Sequence, residues 1–182
     1  IKVVRDLVEK EIVPYAAEMD ETGKLHEGLL EKLAAQGLLG VAIPEEFGGA
    51  GLDAITIAAI YEELGKGCAG VATTVAANAL ASYPVIIAGN DDQKKRYFDI
   101  INDDNLAAFA LTEPGTGSDA GSVSTRAMKT EDGKGYILNG TKCFITNGAL
   151  AEVFVVFANT RKSGGIRGLT AFIVRKGTPG FT

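Results

Sequence analysis

A single histidine and two cysteines are all that 182 residues offer of the side chains most used for transition-metal ligation and thiol chemistry. Cys68 and Cys143 lie far apart in apolar surroundings with no metal-ligand spacing, so both are read as reduced core residues and no structural metal is expected. His26 stands at the start of an amphipathic helix without the neighbours that would complete a Cys/His or Ser/His/Asp set, which leaves it a structural or capping role. No basic cluster is present, which argues against a nucleic-acid partner. Neither an internal repeat nor a signal or transit peptide is visible. Ile1 is not a start methionine, and the chain stops at Gly180-Phe-Thr182 just after a strand and a turn, so it reads as cut short at both ends. One apolar run, Ala69 to Gly89, approaches the length of a bilayer span. It is alanine-rich and carries Asn78, Ser82 and Pro84, so a buried helix is expected there and no membrane span.

What is present suffices for a sizeable core. Hydrophobic residues make up 46% of the chain and the net charge is −5, a balance that disfavours disorder. The charge is unevenly spread. Residues 1–105 hold 18 Asp and Glu against 9 Lys and Arg, a net of −9, while residues 106–182 hold 5 against 9, a net of +4. A positive second half suits phosphate ligands, and a chance excess of solvated lysines would look the same.

Hydrophobic periodicity divides the chain at the same place. Val3, Val4, Leu7, Val8, Ile12 and Val13 recur at helical spacing, as do Leu29, Leu30, Leu33 and Ala34. Asp53 is a plausible N-cap for a helix carrying Ile57, Ile60, Tyr61 and Leu64 and ending at Gly65. Asn90 to Gln93 has capping-box spacing ahead of Tyr97, Phe98 and Ile101. From Leu106 onward the runs shorten or alternate. Strands are expected over 107–111, 136–138, 142–145, 153–157 and 169–174, with turns over 131–135 and 161–165. The expected fold is α+β, with an all-α helical domain over 1–105 followed by a β domain over 106–182.

Two stretches in the second half carry chemistry. Ala110-Leu-Thr-Glu-Pro-Gly-Thr-Gly-Ser-Asp-Ala-Gly-Ser122 joins an apolar strand to a turn in which Gly115, Gly117 and Gly121 leave backbone N–H groups open to oxyanions. Thr112, Thr116 and Ser118 add hydroxyl donors, although glycine turns also arise for steric reasons alone. Leu138-Asn-Gly-Thr-Lys-Cys-Phe-Ile-Thr-Asn-Gly148 follows, and as a strand it would place Phe144 and Thr146 on one face. An aromatic there could cover a flavin ring while the threonine donates to its edge; the same alternation occurs in any half-buried hairpin.

The first stretch resembles the signature of the acyl-CoA dehydrogenase family, and Gly140 to Gly148 resembles that family's second flavin-contacting strand. Ile43 to Gly51, Pro84 to Tyr97 and Gly168 to Val174 are similar to family segments in the same order, with short-chain, butyryl-CoA-like members nearest. The resemblance implies a helical amino-terminal domain, an antiparallel β-barrel-like middle domain that is only partly included, and a carboxy-terminal helical bundle absent from this chain. It implies FAD as cofactor. Phe109, Ala110, Leu111 and Thr112 would run along the flavin, Gly117 and Ser118 would meet its pyrophosphate, and Phe144, Ile145 and Thr146 would pack on its ring. Ser118 and Ser163 would contact the acyl-CoA. Many family members carry tryptophan where this chain has Phe144, which keeps an aromatic surface and loses the indole donor.

By the same resemblance, the implied reaction is α,β-dehydrogenation of a short-chain acyl-CoA to trans-2-enoyl-CoA. An electron-transferring flavoprotein would serve as reoxidant and a homotetramer as the full-length assembly. The family's glutamate base comes from the carboxy-terminal bundle, so no catalytic residue is assigned, Glu113 is expected to fix its turn, and the 182 residues alone are expected to be inactive. An acyl-CoA oxidase of the same superfold and a non-catalytic flavin or acyl-CoA binding module are the alternatives. The implied location is the cytoplasm of a bacterium or the mitochondrial matrix of a eukaryote.

Overall fold

A computed structural model describes residues 1–161 and 165–182, which divide into two units, Ile1–Ala107 and Ala108–Thr182. The first unit is helical. Its opening apolar periodicity is carried by α1 (Lys2–Leu7), one π-turn (Val8–Ile12), a 3-10 turn (Val13–Tyr15) and α2 (Ala16–Thr22). Pro14 explains the interruption: it has no N–H to give, and its ring would strike the carbonyl four residues back, so the helix widens ahead of it. α2 ends on Gly23 in the left-handed conformation. α3 (Leu29–Ala35) buries Leu29 and Leu33. His26, just before it, stacks on Tyr15 with ring centroids 3.5 Å apart.

α4 (Ala54–Gly67) is capped by Asp53, whose carboxylate accepts from Ile55 N and Thr56 N at 2.9 and 3.0 Å. It runs past Gly65, because the chain leaves helical geometry only at Cys68 (φ −159°). On its inner face Glu63 is fixed by Arg5 through both carboxylate oxygens (2.8 and 3.1 Å) and by Lys66 at 2.9 Å, which ties α1 to α4. Arg5 and Lys66 hold the Glu63 carboxyl down at about 2.

α5 (Ala69–Ala88) is long and apolar enough, by length and composition, to cross a membrane. In this fold Val71, Val75, Asn78 and Ser82 form one buried line along it, and it packs on α4. Asn78 is satisfied there. It donates to the carbonyls of Leu39 (3.3 Å) and Asn105 (3.4 Å) and accepts from Ala107 N at 2.6 Å. α6 (Asp91–Asn102) begins with a reciprocal capping box between Asn90 and Gln93 and buries Tyr97, Phe98 and Ile101. Cys68 and Cys143 are both half-buried thiols, less enclosed than core residues.

A five-stranded sheet, which begins at the last residue of the first unit, makes up the second: β1 (Ala107–Ala110), β2 (Arg126–Lys129), β3 (Tyr136–Asn139), β4 (Val153–Asn159) and β5 (Leu169–Arg175). β4 is buried along most of its length and is the hub. It pairs antiparallel with β5 from Val153–Arg175 to Asn159–Leu169, and it also meets β1 and β2. A sheet follows the helical unit as expected, and it is mixed and open where an antiparallel, barrel-like one was expected. Among the described residues β2 joins β4 in parallel at the Arg126–Asn159 pair, β1 and β3 stand at the two ends of the strand order β1-β4-β2-β3, and no ladder closes the sheet. β2 was not foreseen, because only Ala127 of its four residues turns inward and the strand has no alternating pattern.

Candidate functional site

β1 delivers the first motif. Phe109 packs on Phe157 of β4 with ring centroids 4.9 Å apart, Ala110 is buried, and Leu111 and Thr112 follow half-buried beyond the strand end. The chain then makes a tight reversal. Glu113 and Thr116 exchange backbone hydrogen bonds in both directions (2.9 and 3.0 Å), which puts Pro114-Gly115 at the tip of a two-residue hairpin. Gly115, Gly117 and Ser118 are exposed, and a Cβ added at either glycine would meet nothing within 4 Å. The loop is braced from below by the Thr116 hydroxyl, which donates to the Ser122 carbonyl at 3.0 Å.

Beneath that turn lies Glu113, whose side chain is 2% exposed. Its carboxylate accepts from Ser124 N and Oγ, from Thr125 N and Oγ1, and from the Lys142 ammonium at 2.8 Å. Burial pushes this carboxyl up, but Lys142 and the Ser124 and Thr125 donors overcome it and hold the group well below the usual carboxylate range. A carboxylate with every oxygen occupied and no access to solvent is a structural anion. It fixes the turn and is not placed to abstract a proton.

The second motif is not a strand beyond Asn139, which corrects the expectation for 142–145. Phe144 and Asn147 both adopt left-handed backbone (φ 55° and 64°), and Gly148, Leu150 and Ala151 donate back to Ile145 and Asn147 in successive turns. Phe144 and Thr146 therefore do not share a strand face. Both are nevertheless exposed, Phe144 to 93%, while Ile145 is half-buried. A left-handed non-glycine residue costs on the order of 1 kcal/mol or more, here spent on an aromatic ring turned away from the protein.

The two motifs meet directly. Cys143 N donates to the Thr112 carbonyl at 3.0 Å, and Lys142 Nζ donates to the Leu111 carbonyl at 2.9 Å while it holds Glu113. The geometry thus gathers Leu111, Thr112, Lys142 and Cys143 around one backbone junction, with Gly117 and Ser118 on one side in sequence and Phe144 to Thr146 on the other. Ser163 lies outside the described residues. Lys142 was missed in the sequence, although a signal existed: a lysine inside an apolar run needs an anion, and the second half of the chain has few.

These features fit a flavin nucleotide. The exposed residues Gly117 and Ser118 and nearby hydroxyls suit oxyanions, and an outward aromatic ring suits a planar heterocycle.

Comparison with known proteins agrees with this picture. The family model of the acyl-CoA dehydrogenase N-terminal domain matches residues 1–102, and that of the acyl-CoA dehydrogenase middle domain matches residues 108–182. An acyl-CoA dehydrogenase of Bacillus subtilis (strain 168) is 43% identical over 100% of this chain and 48% of its own length. The butyryl-CoA dehydrogenase structure from Megasphaera elsdenii superimposes with a TM-score of 0.89 at 41% identity, covering 100% of this chain and 48% of that one. An acyl-CoA dehydrogenase complexed with FAD from Bacillus anthracis gives a TM-score of 0.85 at 39% identity, over 98% of this chain and 30% of that one. The chain spans about half the length of the curated relatives it matches. Sequence and fold together place it in the acyl-CoA dehydrogenase family.

Proposed function

We propose that this chain forms part of an FAD-dependent acyl-CoA dehydrogenase that converts a short-chain acyl-CoA to the trans-2-enoyl-CoA. In this reading residues 1–105 are the helical domain and residues 106–182 belong to the β domain. The observation that carries the proposal is the bond from Cys143 N to the Thr112 carbonyl, which joins the segment leading to the exposed glycine turn to the segment leading to the exposed Phe144.

In this reading Phe109, Ala110, Leu111 and Thr112 run along the flavin, with the Leu111 and Thr112 groups donating to the pyrimidine edge. Gly117 and Ser118 offer exposed N–H groups to the pyrophosphate, and Ser118, with Ser163, faces the acyl-CoA. Phe144, Ile145 and Thr146 cover the ring and exclude water from it. When bound, FAD supplies the acceptor for the hydride leaving the β-carbon. Each donor aimed at charge that develops during the reaction contributes about 3 kcal/mol. Glu113, sealed and fully bonded, does not serve as the base, which in this reading comes from outside residues 1–182. An electron-transferring flavoprotein as reoxidant and a homotetrameric assembly complete the proposal, in a bacterial cytoplasm or a mitochondrial matrix.

The test is product analysis. The natural full-length protein, given butyryl-CoA and an artificial electron acceptor without oxygen, is expected to yield crotonyl-CoA by mass spectrometry. Turnover that requires oxygen and releases hydrogen peroxide would replace this reading with the oxidase.

A further inference from the structure

The Lys142 side chain is only 11% exposed, and its ammonium does two things at once. It donates to Glu113 Oε1 at 2.8 Å and to the Leu111 carbonyl at 2.9 Å. That carbonyl belongs to the peptide whose N–H is Thr112's, and this N–H donates to no group among the described residues. The following peptide is held separately, through the Thr112 carbonyl, by Cys143 N. The Leu111–Thr112 amide is therefore gripped at its oxygen by a cation and left open at its hydrogen.

We infer that Lys142, held by Glu113, is a positioning residue that orients the Leu111–Thr112 amide and strengthens its N–H for the ligand bound at this junction. A cation on a peptide oxygen draws electron density toward that oxygen, leaves the amide nitrogen more positive, and so makes its N–H a better donor. Low local dielectric enlarges the effect, and both ends of the ion pair are largely withdrawn from water. Glu113 has two tasks. It aims the ammonium, and it neutralises the pair so that the charge is not left bare in the interior. The inference rests on the flavin reading above, in which Leu111 and Thr112 donate to the pyrimidine edge, and it assigns Thr112's part to its open N–H. There a stronger donor stabilises the negative charge of the reduced ring and raises its reduction potential.

The test compares three variants of the natural full-length holoprotein, with the bound flavin's reduction potential and FAD affinity as readouts. Lys142→Met removes the cation, Glu113→Gln keeps it on the Leu111 carbonyl, and Lys142→Arg keeps a cationic donor. Lys142→Met is expected to lower the potential and to weaken FAD binding about tenfold. Glu113→Gln, which breaks the same ion pair, is expected to keep the potential at or above that of the parent. Lys142→Arg should stay close to the parent in both. A merely structural clamp would make Lys142→Met and Glu113→Gln equal in potential and affinity, and that result overturns the inference. If Lys142→Met holds no flavin, Lys142→Arg decides: retention supports the role of the charge, and equal loss overturns it. A parent protein that binds no FAD would instead remove the flavin reading itself.

Discussion

Cys143 donates its backbone N–H to the carbonyl of Thr112 at 3.0 Å, and this bond joins the two motifs of the second unit. The link is main chain to main chain, so the thiol itself is dispensable. Cys143→Ala is expected to change stability by less than about 1 kcal/mol and to leave FAD affinity intact. Cys143→Pro lacks the donor and is expected to abolish flavin retention. Thermal denaturation and flavin fluorescence of the pair check this, and equal behaviour of the two would disprove it.

Glu113 and Glu63 make stability dependent on acid. Both carboxyls have folded pKa values below their ordinary 4.5, Glu63 at about 2, so the unfolded chain binds more protons than the folded one. Their stabilisation is complete above about pH 5 and is lost as pH falls through 4.5 toward the folded values. Urea midpoints measured from pH 7 to pH 3 should decline, and Glu113→Gln or Glu63→Gln should each flatten that decline. Removing the buried anion outright, by Glu113→Ala, is expected to cost about 3 kcal/mol at pH 7, because the Lys142 charge loses its partner. An unchanged pH slope in both Gln variants would contradict this account.

Gly140 sits where a Cβ would collide with the backbone and hydroxyl of Thr125. Thr125 is a ligand of Glu113, so the clash travels to the site. Gly140→Ala is expected to destabilise by about 2 kcal/mol and to weaken FAD binding as well. Gly133→Ser, at a turn with open space around it but a left-handed φ of 70°, is expected to cost stability alone and to leave FAD binding untouched.

Phe144 offers the reverse combination. Its ring is 93% exposed, so Phe144→Ala should alter stability by no more than about 0.5 kcal/mol. The loss of a stacking surface should nevertheless lower FAD affinity about fivefold. Titration of the apoprotein with FAD, beside a melting curve, separates the two effects, and a parallel fall in both would show that the ring serves the fold.

Signals confined to a few adjacent residues were legible in the chain. Asp53 and the Asn90–Gln93 pair cap their helices as their spacing predicts, because a cap involves only the residues of one turn. Features set by distant partners were not. Val8 to Ile12 follows helical spacing, yet whether Pro14 breaks, kinks or widens that helix depends on how the turn packs. The Lys142 to Thr146 run alternates like a strand, but its alternation belongs to a series of turns whose left-handed residues, Phe144 and Asn147, are not glycines and so give no warning. Phe144 and Thr146 still end up outward. Glu113 showed itself as part of a turn, while its ion pair with Lys142, twenty-nine residues on, emerges only when the strands are in place.

The visible spectrum of the natural full-length protein, recorded anaerobically before and after butyryl-CoA is added, tests the acyl-CoA dehydrogenase reading most directly. An oxidised-flavin band that bleaches on addition is the predicted result. A protein that holds no flavin even when FAD is supplied, or a flavin band that no acyl-CoA bleaches, would contradict it.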